Sequence, residues 1–153
     1  MRKMPFLFAL VLASALVVAS PTVAAADTSV GVSPILASGF AGWTCPTGAV
    51  TTSVPIHGFV VFHPAGGMLV SHVVLLHARP NATYYVFVNQ FPGDCPTPAS
   101  GSMTTDSYGN GYGRFSEPRN PLAVKFWISA LTFGAPIAEG LHSRAVSLDA
   151  YSD

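Results

Sequence analysis

The sequence has few charged side chains and no excess of either sign. Seven basic and seven acidic residues occur among 153, so the formal net charge is zero. A protein that binds nucleic acid through its phosphates needs a basic surface, and this balance argues against nucleic acid as a partner. Half of the residues are hydrophobic, which together with the low net charge argues against a disordered chain.

The chain also lacks the short motifs of common catalytic and cofactor sites. It has no Gly-x-Ser-x-Gly nucleophile elbow and no phosphate-binding glycine loop followed by lysine. Glu117 and Glu139 are its only glutamates, and Asp94 and Asp106 lie in turn-forming sequences, which does not favour a catalytic carboxylate pair. We predict no catalytic residue and no cofactor, and a small hydrolase is a less favoured alternative.

The five histidines are spaced in a way that does not predict a metal site. A site on one strand favours His-x-His, because alternate side chains share a face, and this spacing is absent. His72 and His77 would lie on opposite faces of a regular strand, whereas His57 and His63 could share one. We predict no metal site, with a metalloprotein as a less favoured alternative.

Only two cysteines occur, Cys45 and Cys95, and each is followed by Pro-Thr. There is no Cys-x-x-Cys and no histidine at ligand spacing from either cysteine. Two cysteines in an exported chain are typical of a single structural disulfide. We therefore predict a Cys45–Cys95 disulfide, provided that the chain is exported.

The N-terminal segment has the three parts of an export signal. Arg2 and Lys3 precede an apolar run of about 14 residues, and three alanines then end at Ala26. The run is shorter than the about 20 residues that span a bilayer. We predict residues 1–26 as a signal peptide and residues 27–153 as one secreted, extracellular domain without a membrane span.

The periodicity after residue 26 is that of strands, and no segment shows a useful 3.6-residue period. Residues 68–76, 84–88 and 123–128 are the strongest strand signals, being rich in β-branched and aromatic residues. In the third, Val124, Phe126, Ile128 and Ala130 are predicted to face the core. Weaker signals occupy residues 28–32, 50–56, 58–62, 101–105, 113–116 and 143–148. The pattern predicts an all-β antiparallel sandwich or barrel.

Two segments carry a resemblance to a known fold. Residues 78–88, with Pro80, Tyr84, Val86 and Val88, resemble the corner between strands E and F of immunoglobulin-like and fibronectin type III-like domains. Residues 104–111 are similar to a hairpin of small exported bacterial sandwiches. The resemblance implies an immunoglobulin-like Greek-key β-sandwich of seven to nine antiparallel strands. It also implies a tyrosine corner, in which the Tyr84 hydroxyl bonds to upstream backbone.

Aromatic and basic side chains give the best functional lead. Exposed tyrosine, tryptophan and arginine dominate binding surfaces, and the candidates predicted to point outward are Tyr108, Tyr112, Arg114, Lys125 and Trp127. We expect an exported, non-enzymatic binding domain with a protein, glycan or cell-envelope partner. The alternative is a small-molecule carrier that resembles secreted chromophore-binding apoproteins, although those carry two disulfides and this chain can form one.

The export and disulfide predictions are tested by the mass of the protein from culture medium. Removal of the first 26 of the 153 residues leaves about 127, and a disulfide lowers the mass by two hydrogens. We expect both changes in the denatured protein, and the two hydrogens to return after reduction. A mass that keeps residues 1–26, or one that reduction does not change, would contradict the corresponding prediction.

Overall fold

The computed structural model describes residues 30–37, 55–93, 98–132 and 140–148, and the predictions for residues 1–26, Cys45 and Cys95 lie outside these ranges. The described residues form strands and no helix, so none of them belongs to a helix that could cross a membrane. Within these ranges nine strands follow in chain order: β1 (Gly31–Ala37), β2 (Ile56–Ala65), β3 (Met68–Leu75), β4 (Thr83–Phe91), β5 (Gly101–Thr104), β6 (Gly111–Pro118), β7 (Lys125–Leu131), β8 (Gly140–Ser143) and β9 (Val146–Ser147).

The strands pair into one antiparallel sheet, in the order β5-β4-β7-β8-β1-β2-β3-β6, with the short β9 also paired to β7. The two strands at the ends of this order, β5 and β6, contact each other. The sheet is therefore nearly barrel-shaped, which leaves it one enclosed inner face and one outer face. The prediction of an all-β antiparallel fold is confirmed in this coarse form.

The core fills the inner face and follows the two-residue alternation of the strands. Phe126, Ile128 and Ala130 of β7 are fully buried in it, as predicted, whereas Val124 precedes the strand and is exposed. The other strands contribute Val60, Phe62, Leu69, Val73, Leu75, Val86, Val88, Met103, Phe115 and Leu141. Burying one such side chain stabilises the fold by about 1.5–3 kcal/mol, so this single core accounts for much of the hydrophobic stabilisation.

Several strands are longer than their sequence patterns predict, and β2 and β1 show the reason in two cases. The sequence predicts one strand that ends at residue 56 and another that begins at residue 58, but β2 is continuous through both because Gly58 pairs with Leu75 in the β2–β3 ladder. Glycine in this strand marks a close backbone approach and not a break. The first strand extends to Ala37 because its second half pairs with β8, a long-range partner that the local sequence does not reveal.

The segment between β3 and β4 crosses from one end of the strand order to the other and is fixed by Tyr84. The buried Tyr84 hydroxyl accepts a hydrogen bond of 3.0 Å from the Arg79 N–H, with Pro80 in the intervening turn. The Thr105 hydroxyl donates to the Arg79 carbonyl at 2.6 Å and accepts from the Ala82 N–H at 3.0 Å. These bonds hold the crossover against the β5–β6 connection.

The β5–β6 connection is a tight turn organised by Asp106. Its carboxylate accepts hydrogen bonds from the N–H groups of Asn110 at 2.9 Å and Tyr108 at 2.8 Å, and these bonds lower the pKa of Asp106. Gly109 has a φ of +80°, and a Cβ there would collide with the Ala78 carbonyl. The close approach therefore requires glycine, and it lets the Ala78 N–H donate to the Gly109 carbonyl at 3.0 Å.

Removing the Tyr84 hydroxyl tests this corner. We expect Tyr84→Phe to lower the free energy of unfolding by about 1 kcal/mol, because the partly buried Arg79 N–H loses its acceptor. The matched control is Tyr108→Phe, whose ring is 76% exposed and whose effect should stay below about 0.5 kcal/mol. Urea unfolding measures both, and equal effects of the two variants would contradict a structural role for the Tyr84 hydroxyl.

Candidate functional site

The outer face of the sheet is buried around Trp127, where β7 pairs with β4 and β8. Asn89, Trp127, Ser129 and His142 lie on this face by register, opposite the core, and each is at most 3% exposed. The prediction of Trp127 as part of an exposed binding surface is therefore wrong. Its outward alternation was inferred correctly, but β7 lies inside the sheet between β4 and β8, where the outer face is covered as well.

The remaining predicted surface residues do not all come together. Lys125 is exposed at the start of β7, and β7 is separated from β6 by β4 and β5 on one side of the nearly closed sheet and by four strands on the other. Tyr112 and Arg114 are two residues apart on β6, so both point outward, and both are exposed. Tyr108 lies in the turn that leads into β6.

Tyr112 and Arg114 belong to an exposed outer surface on β1, β2, β3 and β6, which we call the open face. Register places its side chains in two rows across these strands, and His63 lies next to them on β2. One row is Val32, Val61, His72 and Arg114, and the other is Pro34, Phe59, Val74 and Tyr112. Val32 is 62%, Phe59 41% and Tyr112 61% exposed, so the open face presents apolar and aromatic side chains to the surroundings.

The register of the open face is set by the β2–β3 hairpin. Gly66 and Gly67 form its two-residue turn with φ values of +58° and +77°, which suit a hairpin whose twist matches the strands. This turn pairs Val61 with His72 and thereby places His63 and His72 diagonally on one face. Sequence reasoning missed the pair because it compared histidines within strands. The Gly66-Gly67 turn between two predicted strands does indicate the pair, because it sets the register of the hairpin.

The two histidines and Tyr112 form the polar centre of the open face. The His63 and His72 rings are nearly parallel, at 14°, with centroids 5.3 Å apart. Nδ1 of His72 is hydrogen-bonded to the Tyr112 hydroxyl at 2.7 Å. Partial burial, followed by the proximity of His63 and Arg114, lowers the pKa of His72. The neutral ring is therefore favoured at pH 7.

Charge on the open face is of one sign. Arg114 lies directly opposite His72 in the β3–β6 ladder, and neither row contains an acidic residue. No three histidine, cysteine, aspartate or glutamate side chains converge as metal ligands in the part of the chain that the structure describes. The arrangement thus favours contact with an acidic group amid apolar side chains.

A separate cleft of about 490 Å³ lies near the end of β4 and β6 and is lined by Gln90, Gly93, Pro98, Ala99, Glu117, Pro118, Arg119 and Asn120. Its size suits a small ligand, but the amide side chains that line it are hydrogen-bonded to nearby backbone groups. Nε2 of Gln90 donates to the Pro118 carbonyl at 2.9 Å, and Oε1 of Gln90 accepts from the Asn120 N–H at 2.9 Å. Nδ2 of Asn120 donates to the Pro92 carbonyl at 2.6 Å. This lining does not resemble the apolar pocket that a carrier of apolar ligands needs.

Comparison of the chain with protein-family models, with curated proteins and with solved structures finds no match.

His142, on the covered outer face, should make stability depend on pH. Burial lowers its pKa from 6.5 to about 4, so between these values the unfolded chain binds more protons. The stabilisation is fully present above pH 6.5 and is lost as the pH falls toward 4. We expect the free energy of unfolding to drop by about 2–3 kcal/mol from pH 7.5 to 4.5 through this group.

Urea unfolding of the wild type and of His142→Gln at both pH values isolates the contribution of His142, because other groups titrate equally in the two proteins. The variant should show a smaller drop, and His77→Gln, at an exposed histidine, should match the wild type. An identical drop in His142→Gln and wild type would contradict the buried neutral state of His142.

Proposed function

We propose that this protein is an exported, non-enzymatic binding domain and that the open face is its binding surface. The observation that carries the proposal is the contrast between two parts of the outer face. Around Trp127 this face buries even asparagine, serine and histidine side chains, whereas the open face exposes Val32, Phe59 and Tyr112 around Arg114. Contiguous exposed apolar side chains on a small domain mark an interaction site.

The residue types on the open face favour a protein partner. The cores of protein interfaces are enriched in tyrosine, phenylalanine, methionine and arginine and depleted of other charged residues. The open face has this composition, with Phe59 and Tyr112 in one row and Arg114 in the other. The partner would present apolar side chains to Phe59 and an acidic side chain to Arg114, since charge complementarity sets orientation and partner choice.

The proposal includes an immunoglobulin-like Greek-key architecture for this domain. Its support is the hydrogen bond between the Tyr84 hydroxyl and the Arg79 N–H, which matches the tyrosine corner of such domains. Two crossovers, β3 to β4 and β6 to β7, join strands that are not neighbours in the sheet, as Greek-key connections do.

Site-directed photo-cross-linking tests the binding surface. A benzophenone amino acid is placed at Phe59 or Tyr112 of the protein exported by its producing cells, which are then irradiated. We expect a discrete, protease-sensitive adduct from both positions. The matched control is Tyr85 on β4, which at 42% is as exposed as Phe59 at 41%, and it should give no such adduct.

Charge reversal by Arg114→Glu should lower the adduct yield at Phe59 several-fold, because it places like charges opposite each other. Equal adducts from Phe59 and Tyr85, or none from Phe59 and Tyr112, would contradict the open face as the binding surface. An adduct that resists protease and is removed by periodate would indicate that the partner is a glycan and not a protein.

A further inference from the structure

We infer that His63 and His72 form a binding site for a divalent transition-metal ion of the class of Zn²⁺ and Cu²⁺. The inference is independent of the proposed partner, since it needs only the two imidazoles and the side chain that orients one of them. Imidazole nitrogen is the ligand that these ions share. The two histidines supply two such ligands from adjacent strands, and water completes the coordination, as at metal sites with open positions.

The spacing of the two rings fits one ion between them. A metal–nitrogen bond of about 2.0–2.1 Å puts the ion about 3.2 Å from the centre of each imidazole. Ring centroids 5.3 Å apart lie within the about 6.4 Å that two such distances span, so one ion can reach both rings. The rings are stacked and His72 is held by Tyr112, so the His63 ring must rotate about χ2, a soft torsion in histidine, to aim a nitrogen at an ion on Nε2 of His72.

Tyr112 supplies the hydrogen bond that a metal-binding histidine makes with its other ring nitrogen. Its hydroxyl is hydrogen-bonded to Nδ1 of His72 at 2.7 Å. When Nδ1 carries the proton and donates to the hydroxyl, the lone pair lies on Nε2 and is available to a metal ion. Such partners fix the ring and its tautomer, and their loss lowers metal affinity by about 10–100-fold at established sites.

Arg114 repels a bound metal ion, so its replacement should change the metal affinity in a known direction. It lies opposite His72 in the β3–β6 ladder, and no acidic residue stands in the two rows of the open face to balance it. A dication near this guanidinium is repelled, so affinity should rise several-fold in Arg114→Gln. The same residue attracts the proposed acidic partner, for which charge removal has the opposite effect.

The test uses purified protein without a histidine tag and either Cu²⁺ or Zn²⁺ alone, at pH 7.5 in a non-coordinating buffer. We expect saturable binding of one ion, with Cu²⁺ tighter than Zn²⁺, and hyperfine splitting from two imidazole nitrogens in the electron paramagnetic resonance spectrum of the Cu²⁺ form. His63→Ala and His72→Ala should each weaken binding at least tenfold. His57→Ala and His77→Ala are the matched controls and should bind as the wild type does.

The site is wrong if His63→Ala and His72→Ala keep wild-type affinity, or if the control variants lose as much. Tighter binding in Arg114→Gln supports the site, and weaker binding in that variant contradicts it. Circular dichroism verifies that each variant has folded before its affinity is compared. Absence of metal binding would leave the cross-linking result at Phe59 untouched, so failure of this inference is distinguishable from failure of the proposed function.

Discussion

The fold depends on the hydrogen bonds that join the β3–β4 crossover to the β5–β6 turn. The Ala78 N–H donates to Gly109 and the Asn81 N–H donates to Asp106, at 3.0 and 2.9 Å. Both segments run between the two ends of the strand order, because β3 adjoins β6 and β4 adjoins β5. Fastening them together keeps the sheet curved almost to closure. Its inner face can then bury the core.

The closure of the sheet does not by itself determine which side chains of the outer face are buried. Strand alternation sends every second side chain outward. These outward side chains are buried around Trp127 and exposed on β6. Along β7 the outward Trp127 is fully buried, whereas on β6 the outward Tyr112 is mostly exposed. The proposed binding surface rests on this asymmetry, since contiguous exposed apolar side chains on a small domain mark an interaction site.

Local sequence predicted those features whose causes are local. The strand at Tyr84, the alternation of Phe126, Ile128 and Ala130, and a turn at Asp106 depend on residues within a few positions of one another. The burial of Trp127 does not, because it depends on which strands flank β7 and on what covers them. The extension of β1 to Ala37 likewise depends on pairing with β8, more than one hundred residues away along the chain.

The sequence predicted only part of the candidate site, because the rest depends on pairing between strands. Tyr112 and Arg114 were found because one strand carries both. His63 and His72 lie on two strands, and their proximity follows from register, which the Gly66–Gly67 turn sets. Alternation within one strand does not reveal which residue lies opposite each position on the next strand. A two-residue glycine turn reveals it without a structure, because one paired position fixes all the others along the hairpin.

The two proposed uses of the open face are coupled through Arg114. A metal ion held by His63 and His72 adds positive charge beside the guanidinium, and this charge strengthens the attraction for an acidic partner. By thermodynamic linkage, the partner's carboxylate must then strengthen metal binding by the same factor. If both uses hold, the partner offsets the repulsion that Arg114 exerts on the metal ion. The ion would then be bound more tightly in the complex than in the free protein.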